Sequence, residues 1–228
     1  MINKVKWTFV IITLLLIFYG AFFRKEDNRL LVGNHYTFLE AREQLKKFKS
    51  NYGNLQEWQE RAEKIRVNIL KGAEIYPFPD KLKNQKVIKS NKREYDRYTV
   101  ENLAIESDSG SFIIGSLYLP AKISPPYPLI LSTHGHWNEK EDYGRYRESA
   151  QIRNAMMAKL GAAVFSYDML GYGVSGDFGY KHHVDKALKY QLLNSVRSLD
   201  YLLSLPEIDS KKVAATGASA GATQVILL

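Results

Sequence analysis

The chain has 228 residues, 45% of them apolar and 25% charged, with a formal net charge of +8. That length and balance suit one globular domain with a short appendage and exclude wholesale disorder. There is no cysteine, which excludes a disulfide framework, a cysteine-ligated zinc or iron–sulfur site and a cysteine nucleophile.

The charge is uneven. Residues 1–110 hold 20 basic and 14 acidic side chains, and residues 111–228 hold 12 and 10. The densest basic stretch, Lys81 to Arg97, has seven basic and two acidic residues. It reads as a solvated, lysine-rich connector. No zinc-finger, RNA-recognition or basic-zipper signature accompanies it, so no nucleic-acid partner is expected.

In chain order, the first element is the uncharged run from Trp7 to Phe23, flanked by Lys4 and Lys6 before it and Arg24 and Lys25 after it. As a helix it spans about 25 Å, the short edge of a membrane crossing. A cleaved signal peptide has the same charged start and apolar middle. The candidate cleavage positions around Phe18, Tyr19 and Gly20 carry bulky aromatics, which favours an uncleaved anchor. Residues 1–25 are therefore expected to be a transmembrane anchor or signal peptide. The rest of the chain is then exported, either membrane-anchored or periplasmic or extracellular.

Residues 26–96 read as a helical N-terminal extension. Leu55, Trp58, Ala62, Ile65 and Ile69 recur at three- and four-residue steps on one helical face, where Trp58 is expected in a core. Asn54 can cap that helix, and Gly72 follows its last turn. Residues 97–228 change period. Tyr98 to Ile105 and Ser111 to Leu119 read as two strands joined by a turn at Asp108 to Gly110. Leu129-Ile130-Leu131 and Ala162 to Tyr167 read as buried parallel strands, with a helix between Tyr146 and Leu160. Val184, Leu188, Leu192, Val196, Leu199 and Leu203 mark a second helix, which Pro206 stops. Lys212 to Thr216 is the fifth strand, and a helix begins after Gly221. This alternation implies an α/β fold with a mostly parallel sheet and helices on both faces.

Gly217-Ala218-Ser219-Ala220-Gly221 matches G-x-S-x-G between a buried strand and a helix. A very sharp strand-to-helix turn lifts the serine hydroxyl above the sheet, and small residues two before and two after it prevent collision. The following helix turns its N-terminal N–H groups toward developing negative charge. His134-Gly135-His136-Trp137 follows the Leu129 strand, where a serine hydrolase of this topology places one oxyanion donor. The two donors are then the N–H groups of His136 and Ala220, with Trp137 the nearest rival to His136 and a candidate substrate contact. His134 and His136 as a metal pair lack a third ligand, so no metal is expected, and His134 reads as structural. Gly171-Tyr172-Gly173-Val174-Ser175-Gly176 matches the dinucleotide fingerprint. It does not directly follow a first strand, and Asp177 to Tyr180 do not read as a helix start. It is taken as a glycine-rich loop, and no cofactor is expected.

Together these residues resemble the α/β-hydrolase superfamily, from about Tyr98 to the last residue. His134 to Trp137, Arg197 with Asp200-Tyr201, and Thr216 to Ser219 with Thr223-Gln224 are similar to exported bacterial acetyl-xylan-esterase-like hydrolases. The resemblance implies Ser219 as nucleophile and His136 and Ala220 as oxyanion donors. Arg197 and Asp200 would be a structural pair. The implied substrate is an ester of an acylated carbohydrate, and the implied fold is an α/β-hydrolase sheet reaching strands 1–5.

The sequence departs from the family at the triad. The acid and histidine should follow the serine, yet only nine residues follow Ser219, and none is Asp, Glu or His. The five histidines, His35, His134, His136, His182 and His183, all precede it. The expectation is a chain truncated after the nucleophile turn and inactive by itself. The alternatives are a serine peptidase of the same fold and an inactive, membrane-tethered hydrolase-like protein.

Overall fold

The computed structural model describes residues 36–108, 110–137 and 143–228. The chain divides into two units, Met1–Gln59 and Glu60–Leu228. Helix α1 (Phe38–Lys49) opens with a capping box: the Glu40 N–H donates to Thr37 Oγ1, and the Thr37 N–H donates to Glu40 Oε2 at 2.8 Å. The exchange satisfies two groups that a helix start leaves without intrahelical partners. Helix α2 (Leu55–Gly72) is capped by Asn54, whose Oδ1 accepts from the Glu57 N–H at 3.0 Å. No residue of α2 is buried, and Trp58 is 46% exposed. The expectation of a core Trp58 is corrected: helical period fixes which residues share a face, not whether that face is covered. The apolar run 7–23, read as an anchor or signal segment, lies outside the described residues. Among the described residues, no helix is long and apolar enough to cross a membrane.

The sheet has six strands in the order β1-β2-β3-β5-β4-β6. They are β1 (Val87–Glu94), β2 (Tyr98–Asp108), β3 (Ser111–Pro120), β4 (Tyr127–Thr133), β5 (Ala163–Tyr167) and β6 (Ile208–Gly217). The first three are antiparallel neighbours, β3 pairs antiparallel with β5, and β5, β4 and β6 are parallel. The sheet therefore has one strand more than the five expected. The addition, β1, lies inside the stretch read as a helical extension and lysine-rich connector. Val87 and Ile88 are its only apolar residues, so no period-two pattern marked it. It is an edge strand, where polar side chains face water on both sides.

Side-chain alternation builds the core. On one face, Leu103, Ile105, Ile113, Leu117, Leu129, Leu131, Ala163, Phe165 and Tyr167 pack with Leu202, Leu199 and Leu203 at the end of helix α5 (Ala187–Leu202). On the other face, Val100, Tyr118, Ile130 and Val164 pack with Met157 and Ala158 of helix α3 (Glu148–Lys159). Leu129, Val164 and Phe165 are fully buried, each contributing about 1.5–3 kcal/mol by burial. The glycine-rich stretch departs from the expected plain loop by forming one short helix, α4 (Gly173–Asp177). Helix α6 (Ala220–Leu227) closes the described chain behind β6.

The inner face of α5 is not wholly apolar. Its buried residues include Gln191, Ser195, Arg197 and Ser198. Ser195 Oγ lies 2.6 Å from the Tyr167 hydroxyl, and both lie 3.4 Å from Oε1 of buried Gln224 on α6. Arg197 donates to Asp200 at 3.1 Å, and its carbonyl accepts from Gln85 at 3.1 Å. That ties α5 to the segment entering β1.

Candidate active site

Ser219 sits between β6 and α6 with φ 53° and ψ −122°. This positive-φ conformation is costly for a side chain with a Cβ and persists only where the surroundings enforce it. The enforcement is visible on both sides. A Cβ on Gly221 would lie 2.6 Å from the carbonyl oxygens of His134 and Thr133. One on Gly217 would lie 2.5 Å from the Gly221 carbonyl carbon and also strike Thr133 Oγ1. Thr133 Oγ1 donates to the Gly221 carbonyl at 2.8 Å, locking the end of β4 to the turn. The Ser219 side is exposed at the surface.

The loop after β4 reaches the same point. A Cβ on Gly135 would lie 3.1 Å from the Ala218 carbonyl oxygen and 3.2 Å from Ser219 Cβ. The Trp137 N–H donates to the Gly135 carbonyl at 3.0 Å, so the rival oxyanion donor is already engaged. The His136 and Ala220 N–H groups hydrogen-bond to nothing among the described residues. Trp137 is half-buried, with the Arg147 guanidinium 4.7 Å over its ring.

His134 does not face the site. Its Nδ1 is 2.8 Å from the Gly135 carbonyl, and its Nε2 accepts from the Met169 N–H at 2.9 Å. Those two partners define a neutral imidazole with its proton on Nδ1. Burial pushes its pKa down to about 4, partly offset by the Gly135 carbonyl bond. An imidazole lowered in the fold makes the native state lose stability as pH falls from about 6.5, where the unfolded chain takes up a proton, to about 4. The loss is on the order of 3 kcal/mol. In a proton NMR titration the His134 C2 proton is expected to stay unshifted from pH 8 to 5 and to move near pH 4. A midpoint near 6.5 would contradict this placement.

Behind His134 lies a pair that sequence reasoning missed. Arg145 Nε is 3.0 Å from Asp168 Oδ1, with side-chain exposures of 2% and 0%. The contact is an ion pair without hydrogen-bond alignment at those two atoms. Asp168 Oδ2 accepts from the N–H groups of Val174 at 3.0 Å and Ser175 at 3.4 Å. Ser175 Oγ accepts from the Gly171 N–H. The amides that a dinucleotide-binding turn would direct at a pyrophosphate are here directed at Asp168. Burial pushes the Asp168 carboxyl up to about 6, with Arg145 and the two backbone bonds opposing. Asp168 at the end of a buried strand, followed by Gly171, Gly173 and Ser175, was the available sequence signal. Arg145 carried none.

His182, from the loop preceding α5, comes to within hydrogen-bond distance of His136, a meeting across 46 residues that spacing does not reveal. Among the described residues no imidazole is hydrogen-bonded to Ser219, and no cluster of three or more His, Asp or Glu side chains could hold a metal ion.

No protein-family model and no curated protein matches this chain. Solved structures do. A methylesterase designated BT1017 superposes with a TM-score of 0.73 at 32% identity, covering 84% of this chain and 43% of that one. The chain has an α/β-hydrolase fold. A candidate acetyl xylan esterase from Bacteroides fragilis superposes at 0.62 with 17% identity, over 86% of this chain and 59% of its own. A glucuronoyl esterase from Solibacter usitatus superposes at 0.53 with 15% identity, over 77% and 56%. At those identities the last two speak to fold alone. The chain spans less than two thirds of the length of each of the three.

Proposed function

We propose that the chain carries the nucleophile and oxyanion donors of a serine carboxylic-ester hydrolase acting on an esterified carbohydrate. The observation that carries this reading is Ser219 held at positive φ between β6 and α6 with Gly135 packed against it, while the N–H groups of His136 and Ala220 bond to nothing among the described residues. Ser219 Oγ attacks the ester carbonyl as its proton passes to a general base, and the carbonyl oxygen becomes an oxyanion between those two donors. Collapse expels the alcohol, which takes up that proton, and water then hydrolyses the acyl-serine to the free acid and serine. Trp137 borders the site as a substrate contact. The 32% identity to a methylesterase favours a small ester over a peptide bond.

A second reading is supported by one observation: among the described residues no imidazole is hydrogen-bonded to Ser219. Without a base the hydroxyl is a poor nucleophile near neutral pH, and in this reading the site binds an ester without turnover. Export and a membrane tether through residues 7–23 belong to the same proposal, supported by the uncharged run between Lys6 and Arg24. Protease accessibility on intact cells tests that part, and full protection of residues 60–228 would contradict it.

The chemistry is tested in the protein's full reading frame with p-nitrophenyl acetate and a methyl-esterified uronide. Ser219→Ala is expected to lower turnover of whichever ester is cleaved by roughly 10⁴-fold or more. Equal rates for parent and variant would remove Ser219 from the mechanism. Preference between the two substrates assigns the small group to the acyl or the alcohol side.

A further inference from the structure

Two loops far apart in sequence meet at the mouth of the site. His136 Nε2 and His182 Nε2 are 2.8 Å apart, with the rings edge to face and centroids separated by 4.7 Å. His182 Nδ1 lies 3.0 Å from the Leu170 carbonyl oxygen. The tautomers follow from these contacts. A carbonyl only accepts, so His182 carries its proton on Nδ1 and presents a lone pair at Nε2. His136 must then donate from its own Nε2. The chain of bonds runs from His136 through His182 to the backbone between β5 and α4. Asp168 and Arg145 hold that same backbone stretch.

We propose that His182 is a positioning residue for the oxyanion donor: through its bond to the His136 ring it holds the Gly135–Trp137 loop beside Ser219 while both imidazoles are neutral. The proposal rests on the reading of His136 as a donor. Only a lone pair at His182 Nε2 can accept from the His136 ring, so the hold on the loop depends on that acceptor.

The surroundings agree. Facing the pair are the Tyr172 ring, 5.6 Å from His136 and 4.9 Å from His182, and the His183 ring, 5.1 Å from His182. Tyr143 stacks on Tyr172 from behind. Lys181 flanks His182 in the chain, with Asp185 three residues on. Burial, then the charges of His182 and His183, hold the His136 ring below the ordinary histidine value.

The test is long-range ¹H–¹⁵N correlation NMR of the 228-residue chain with labelled histidine, which needs no esterase activity. Its failure is therefore separate from failure of the esterase reading. At pH 8 His182 is expected as the Nδ1–H tautomer and His136 as the Nε2–H tautomer. His182→Gln keeps an acceptor. It should leave the backbone amides of His136 and Trp137 at their parent positions and raise the His136 midpoint, because the charge of His182 helps hold it down. His182→Ala should move both amides from their parent positions at pH 8. An Nε2–H tautomer at His182 in the parent protein overturns the proposal without any variant. So does a His136 titration unchanged by both substitutions.

Discussion

Gly221→Ala is expected to destabilise the domain by about 3 kcal/mol and to displace Ser219 from its position. The added Cβ would meet two carbonyl oxygens, those of His134 and Thr133, at 2.6 Å. Both are backbone at the end of the central strand β4, which is paired on both edges. No side-chain rotation relieves such a contact; either the turn or the strand end must shift. The measurement is a urea midpoint for the parent and the variant, with Gly72→Ala as control. A Cβ at Gly72 meets nothing within 4 Å, so the control should move the midpoint little. A Gly221→Ala midpoint equal to the parent's would show that the turn is not packed as described.

Arg145→Met is the second large effect. It keeps most of the side-chain volume but leaves the fully buried Asp168 carboxylate without its counter-charge, a loss of about 3–5 kcal/mol for a pair of this kind. The pH dependence has a definite sign. A carboxyl raised in the fold binds its proton more tightly than in the unfolded chain, so its contribution to stability falls as pH rises from 3.8 through the folded value of about 6. Removing Arg145 raises that folded value further and extends the loss above pH 6. The variant should accordingly be closer to the parent at pH 5 than at pH 8. Adding Asp168→Asn should recover part of the loss, because the amide oxygen can still accept from the Val174 N–H. A loss that is the same at both pH values and in the double variant would mean that the pair is not electrostatically coupled.

These two cases show which features a sequence carries. The turn was legible because its chemistry is local: five consecutive residues, all small or serine, between an apolar run and a helix. The β2–β3 hairpin, the buried β4 and β5 and the helix ahead of Pro206 were legible for the same reason, since period and breakers are written within a few residues. The Arg145–Asp168 pair was not, because the signal at Asp168 does not say which distant cation folds over it and Arg145 carries no signal of its own. His136 and His182 were legible as histidines but not as a pair, since their contact depends on where two loops come to rest. β1 escaped because Val87 and Ile88 are its only apolar residues, so no alternation marks it. Trp58 misled because its helix has the right period without a covered face.

The central claim is that Ser219 is a nucleophile set opposite two backbone donors. The most direct measurement is trapping of the acyl-serine in the full-reading-frame protein, by rapid acid quench after mixing with p-nitrophenyl acetate and peptide mass spectrometry. The account predicts an acetyl group on the peptide containing Ser219 and none in the Ser219→Ala variant. Acetyl transfer to another residue, or the same labelled peptide in both proteins, would contradict it.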